Sequence, residues 1–135
     1  MLQSVLLLIG LALWTAPFGY EHVITVEKDV VRSVYGTVRD PAGEPIPGVL
    51  IEVFDNGVAI LDKGTLEERR AKQHKIVEVT TAKDGKFTLP ALASGKYELQ
   101  LRKDNFNVLS VIVTVDTQHG KKSKKGLVCV LPVAT

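Results

Sequence analysis

Cysteine is nearly absent from this chain. Cys129 is the single one in 135 residues, which excludes an intramolecular disulfide framework and any thiol-rich zinc site, so the fold must stand on packing. Histidine is sparse as well: His22, His74 and His119 are scattered, with no second histidine or cysteine two or four residues away, and no metal site is expected. Charge of one sign does not dominate, since 17 Lys+Arg face 15 Asp+Glu for a formal net charge of +2. That balance excludes a general nucleic-acid or polyanion binder. A Gly-x-Ser-x-Gly nucleophile turn and a phosphate-cradling glycine-rich loop are both missing. Glu67-Glu68 stand beside Arg69-Arg70, which reads as a solvated helix face and not as an acid/base pair. The expectation is therefore a protein that is not an enzyme, with no catalytic, cofactor-binding or metal-ligating residues.

Long hydrophobic runs are also lacking. Residues 5–14 form an uncharged apolar stretch, the length of a signal-peptide core and well short of the ~20 residues a membrane-spanning helix needs. Residues 1–19 are expected to be a signal peptide cut after Ala16 or, because Pro17 disfavours that bond, nearer Gly19. No stable transmembrane span is expected, no cysteine near Gly19 could carry a lipid, and the expected location is secreted or periplasmic. Roughly 115 residues then remain, enough for one domain with one core. Residues 20–32 read as a lead-in or edge strand, and residues 33–135 as the domain proper.

What is present is a hydrophobic period of two, carried mostly by β-branched and aromatic residues. Val34, Gly36 and Val38 share one face of a strand; Val49, Ile51 and Val53 share a face of the next, with Leu50, Glu52 and Phe54 opposite. Val77, Val79 and Thr81, then Phe87 and Leu89, then Tyr97, Leu99 and Leu101 continue the alternation. Leu109, Val111, Val113 and Val115, and finally Leu127, Cys129 and Leu131, complete it. About seven short strands of this kind predict an all-β, seven-stranded antiparallel β-sandwich, with residues 22–27 available as a further edge strand. Asp40-Pro41-Ala42-Gly43-Glu44-Pro45-Ile46-Pro47-Gly48 is too long and stiff for a tight hairpin and should carry the chain between sheets. Lys83-Asp84-Gly85-Lys86 has the Asp-Gly pair of a hairpin turn, and Ser94-Gly95 and Asp104-Asn105 are further turn signals.

Residues 56–75 break the period and read as a charged helical or loop insertion. Thr65-Leu66-Glu67-Glu68 fits a capping box for a helix of two turns. A connection of this length in a compact domain is functional or mobile.

Two blocks carry a family resemblance: Val34-Tyr35-Gly36-Thr37-Val38-Arg39-Asp40-Pro41-Ala42-Gly43 running on to Val49, and Thr81-Ala82-Lys83-Asp84-Gly85-Lys86-Phe87-Thr88-Leu89-Pro90 running on to Leu99. They resemble the carboxypeptidase regulatory-like domain, a transthyretin-like β-sandwich. The resemblance implies an accessory, adhesive or ligand-binding module in place of catalysis. A related hydroxyisourate hydrolase ends in Tyr-Arg-Gly-Ser, whereas this chain ends Leu131-Pro132-Val133-Ala134-Thr135. Related adhesins that form Lys–Asn cross-links place Lys on the first strand and Asn on the last, and neither is found at those strands here.

The function expected from these readings is an exported, non-enzymatic binding or assembly module whose partner is a protein or a cell-envelope component. The alternative is a carbohydrate-binding module of starch-binding-like fold. Sugar platforms need exposed aromatic rings, and with Trp14 in the leader the candidates are Tyr35 and Phe54 on outward strand faces, with Phe106 and Tyr20 besides. Candidate binding cations are Arg69 and Arg70 in the insertion and Lys121, Lys122, Lys124 and Lys125 in His119-Gly120-Lys121-Lys122-Ser123-Lys124-Lys125-Gly126, read as a flexible hairpin tip. Cys129 is expected to be a small core hydrophobe.

Overall fold

Strands form where alternation lets each segment hide one face, and the computed structural model, which describes residues 23–55 and 65–134, shows this pattern throughout. In chain order the elements are β1 (Val23–Glu27), β2 (Tyr35–Arg39), β3 (Leu50–Phe54), α1 (Leu66–Lys72), β4 (Lys75–Thr80), β5 (Lys86–Thr88), β6 (Gly95–Arg102), β7 (Val108–Val115) and β8 (Leu127–Val130). They make a five-stranded sheet, β1-β7-β6-β3-β4, and a three-stranded sheet, β5-β2-β8. One core lies between the two. Ile51, Val53, Phe87, Leu89, Tyr97, Leu99, Val111 and Val113, all expected there, are buried. Burying a side chain of this size contributes about 1.5–3 kcal/mol, so these residues outweigh any surface interaction. Tyr97 can enter because its hydroxyl donates to the Ala93 carbonyl at 2.6 Å.

Three expectations need correction. The described residues hold eight strands, the edge strand β1 included, and the pairing is mixed: β1 runs parallel to β7 and β2 parallel to β8. Side-chain alternation is the same in either direction, so it could not separate the two cases. In the β2/β8 pair a Cβ on Gly36 would sit 2.0 Å from the Leu127 carbonyl oxygen, so glycine alone allows these backbones to meet. Second, the Asp-Gly turn closes through Gly85 N–H to the Ala82 carbonyl (2.9 Å), yet it joins β4 of one sheet to β5 of the other. It is a corner and not a hairpin. The hairpin turn that does join hydrogen-bonded neighbours is at Asp104-Asn105 between β6 and β7, where Asn105 takes a φ of 72°. Third, residues 116–126 are a crossing from β7 to β8 between the sheets and not a hairpin tip.

The proline-rich connection behaves as expected, leading from β2 to β3 across the sandwich, with Asp40 Oδ1 accepting from the backbone of Ala42 and Glu44 at 2.9 Å each. Cys129 is buried in the core, and burial pushes its thiol up to about 11. It serves as a small apolar side chain.

Candidate functional site

The outer face of the large sheet carries a buried polar layer. Register places Glu52 of β3, Gln100 of β6 and Ser110 of β7 in one row, with Phe54, Glu98 and Ile112 in the next. Glu98, Gln100 and Ser110 are wholly buried and Glu52 is 3% exposed. Buried groups of this kind must be paired. Arg70, projected by α1, grips Glu52 with both ends of its guanidinium, Nη1 to Oε1 at 2.7 Å and Nη2 to Oε2 at 2.9 Å, and reaches Gln100 Oε1 at 3.1 Å. Gln73 accepts from Gln100 Nε2 at 3.2 Å and donates to Glu98, which also accepts from the Ser110 hydroxyl. Lys75 Nζ stands 3.4 Å from Glu52. The Arg70 hydrogen bonds hold the Glu52 carboxyl below the usual carboxylate range; burial opposes them and Lys75 assists. Thr65 caps α1 by accepting from the Glu68 N–H at 3.1 Å. Chemically this layer is a fastening: its carboxylates are engaged by side chains that pin a short helix to the sheet.

A second feature is open. At the side where β1 and β8 form neighbouring sheet edges, a cleft of about 230 Å³ is lined by Lys28, Asp29, Tyr35, Lys121, Ser123 and Val128, among others. The connection from β1 to β2 holds the crossing loop beneath it: Lys121 N–H donates to the Val30 carbonyl at 2.9 Å, and Arg32 Nε to the Gly120 carbonyl at 2.9 Å. Tyr35 donates from its hydroxyl to the Ser123 carbonyl. Any Cβ on Gly126 would fall 2.2 Å from the Tyr35 carbonyl oxygen and 2.5 Å from its ring, so a glycine is required where the loop passes over that residue. The loop is thus tied at both ends, and Lys122, Lys124 and Lys125 are exposed along it. Lys121 Nζ lies 3.5 Å from Asp29 Oδ2, while Lys28 Nζ donates to the Val128 carbonyl at 3.1 Å.

Of the candidate site residues, Tyr35 and Lys121 line this cleft, and Lys122, Lys124 and Lys125 are exposed beside it. Phe54 does lie on the outward strand face, but it is 3% exposed, with the Arg70 guanidinium 5.6 Å from its ring centroid. It cannot serve as a sugar platform. Arg70 is committed to Glu52 and Gln100 and so is no free surface cation. The side chain of Arg69, residues 1–22 with Tyr20 among them, and residues 56–64 lie outside the described residues. Sequence reasoning missed Lys28, Asp29 and Ser33, because only the fold brings the β1–β2 connection against the crossing loop. It also missed the polar layer, for which a signal existed: Leu50, Phe54, Val108 and Ile112 share the supposed solvent face with Glu52 and Gln100, a mixture that marks a sheet covered on both sides.

The sequence profile of the carboxypeptidase regulatory-like domain matches residues 33–123, more than half of the chain. The chain belongs to the carboxypeptidase regulatory-like domain family. The match takes in Tyr35, α1 and the first half of the lysine loop, so the polar layer falls within the matched residues, whereas the cleft straddles their limits, with Lys28, Asp29 and Val128 outside them. A search of curated proteins found no match. Among solved structures, hydroxyquinol 1,2-dioxygenase from Pseudomonas putida DLL-E4 is 13% identical, with a TM-score of 0.46 over 86% of this chain and 61% of that one. Chlorocatechol 1,2-dioxygenase from Pseudomonas putida is 15% identical, with a TM-score of 0.41 over 82% and 64%. The regulatory-like domain therefore spans less than two thirds of these enzymes, and their chemistry is not carried over to it.

Proposed function

We propose that this regulatory-like domain is an exported, non-catalytic binding module that engages a protein or cell-envelope component at the cleft between the ends of β1 and β8. The observation that supports this best is the cleft itself. It joins two lysines, Lys28 and Lys121, with the Tyr35 ring and the Ser123 backbone beside three further exposed lysines, while the carboxylates buried elsewhere are spent in holding α1. Family membership supports an accessory role in the same direction. Lysine acts as a mobile point charge, so an anionic partner requires no fixed geometry to be attracted. A carbohydrate reading loses Phe54, which is buried, and keeps Tyr35 in the cleft and the half-buried Phe106 away from it.

The test is capture from the secreted and envelope fractions by immobilised wild type and by a variant with Lys121, Lys122, Lys124 and Lys125 all changed to Gln. Retention of one component by wild type and its loss in the variant is the expected result. Equal capture by both would remove the cleft from consideration, and glycan binding at millimolar concentration that disappears in Tyr35→Ala would install the sugar reading instead.

A further inference from the structure

The cleft has a second wall that is backbone and not side chain. Strand β8 is an edge strand, paired only with β2. Leu131 N–H donates to the Arg39 carbonyl at 2.8 Å. Because hydrogen-bonding sides alternate along a strand, Leu127, Cys129 and Leu131 face β2, and the N–H and C=O groups of Val128 and Val130 face outward. Among the described residues the Val128 carbonyl has one partner, the Lys28 ammonium, and the outward amides of Val128 and Val130 have none. Both valines are also exposed, at 42% and 48%. An open edge with apolar side chains is a template for another strand, and a lysine laid across it is a known way of guarding one.

The charge around this edge is one-sided. Lys28 and Lys121 line the cleft with Val128; Lys122, Lys124 and Lys125 are exposed in the loop that leads into β8, and Asp29 answers Lys121. Among the described residues Lys122, Lys124 and Lys125 meet no carboxylate.

We propose that β8 accepts an extended acidic segment of a partner protein by strand addition, with Lys28 as the gate. Resting on the reading of the domain as a binding module, this names the class of its partner. Lys28 leaves the Val128 carbonyl, which then accepts a backbone N–H from the incoming strand, and its ammonium pairs with a carboxylate of that strand. Val128 and Val130 N–H donate to the strand's carbonyls. Alternate apolar residues of the segment cover the Val128 and Val130 side chains, and its acidic residues meet the lysines. Main-chain pairing supplies affinity, and the charge supplies selection and a faster encounter.

The probe is a fluorescein-labelled peptide alternating Glu and Val, titrated by anisotropy into the full chain. Wild type should bind it, with affinity falling severalfold as the Debye length shrinks from about 10 Å at 0.1 M salt to about 3 Å at 1 M, and a Lys/Val peptide of the same pattern should not bind. Val130→Pro removes an outward N–H that β2 does not use, a position where edge strands tolerate proline, and should weaken binding by about tenfold or more. Val130→Thr keeps the N–H and should stay close to wild type. A peptide N-methylated at alternate residues tests the same hydrogen bonds without touching the protein, and it should fail to bind. Peptide addition should also slow hydrogen exchange at the Val130 amide. Binding that survives both Val130→Pro and N-methylation would overturn strand addition. Absence of peptide binding, together with lysine-dependent capture from the envelope fraction, would overturn this inference and leave the binding-module reading in place; absence of both would remove the two together.

Discussion

Replacing Arg70 by Met is the sharpest test of how the polar layer contributes to stability. The substitution keeps an apolar stem against Phe54 and removes two charge-assisted hydrogen bonds to Glu52 and one to Gln100. The Glu52 side chain is 4% exposed, so it cannot turn to water, and a buried pair broken on one side costs about 3–5 kcal/mol. Two facts reduce that figure. Arg70 is itself 28% exposed, and Lys75 Nζ at 3.4 Å and Arg102 Nε at 3.9 Å remain beside the carboxylate. The expected loss is therefore about 2–3 kcal/mol at pH 7, a large share of the roughly 5–15 kcal/mol that holds a domain folded. Urea unfolding followed by far-UV circular dichroism reads it as a lower midpoint at unchanged slope. Because the folded-state pKa of Glu52 is lowered from 4.5, the pair's contribution is complete above that value and is lost as pH falls through the folded value. The gap between wild type and variant should close in acid. Glu52→Gln combined with Arg70→Met should recover about half of the loss or more, since no buried carboxylate is then stranded. A loss under about 0.5 kcal/mol at pH 7, or a gap equally wide at low pH, would refute the account of this layer.

Other consequences can be checked as directly. Phe87→Ala empties a core position and should cost about 3–5 kcal/mol in the same assay. Gly36→Ala drives a methyl into the Leu127 carbonyl and should abolish the cooperative melt, whereas Gly95→Ala, whose nearest contact would be 3.8 Å away, should retain it. Cys129, with its thiol pushed up to about 11 and 1% exposed, should resist iodoacetamide in the folded protein and react on addition of urea. Mass spectrometry of the exported protein should find an N-terminus after Ala16 or near Gly19; intact Met1 in a cytosolic fraction would overturn export.

The inward faces were legible because hydrophobic alternation is a property of each strand taken alone. Val49-Ile51-Val53 and Leu109-Val111-Val113-Val115 needed no knowledge of their neighbours to be placed in the core. Strand direction and sheet membership were not legible, since Lys83-Asp84-Gly85-Lys86 has the same chemistry at a corner as in a hairpin. The capped start of α1 at Thr65 could be read locally, but its purpose could not, because Arg70 gains meaning only from Glu52 and Gln100 on strands far away in sequence. The cleft was half legible. Tyr35 and the lysine loop drew notice by composition, whereas Lys28 and the open edge of β8 exist only once β2 and β8 lie side by side.

The two parallel pairings also set a schedule for folding. Gly36 waits for Leu127 and Val23 waits for Val108, so the strands nearest one end of the described chain find partners only near the other end. Contacts so distant in sequence carry a heavy loop-closure penalty and slow the search for the native state. The middle of the chain, where β6 and β7 are joined by a short turn, can pair early. A ribosome or translocation channel releasing this chain from its N-terminus would therefore present an unfinished sandwich, with β2 lacking β8, until almost the last strand emerged.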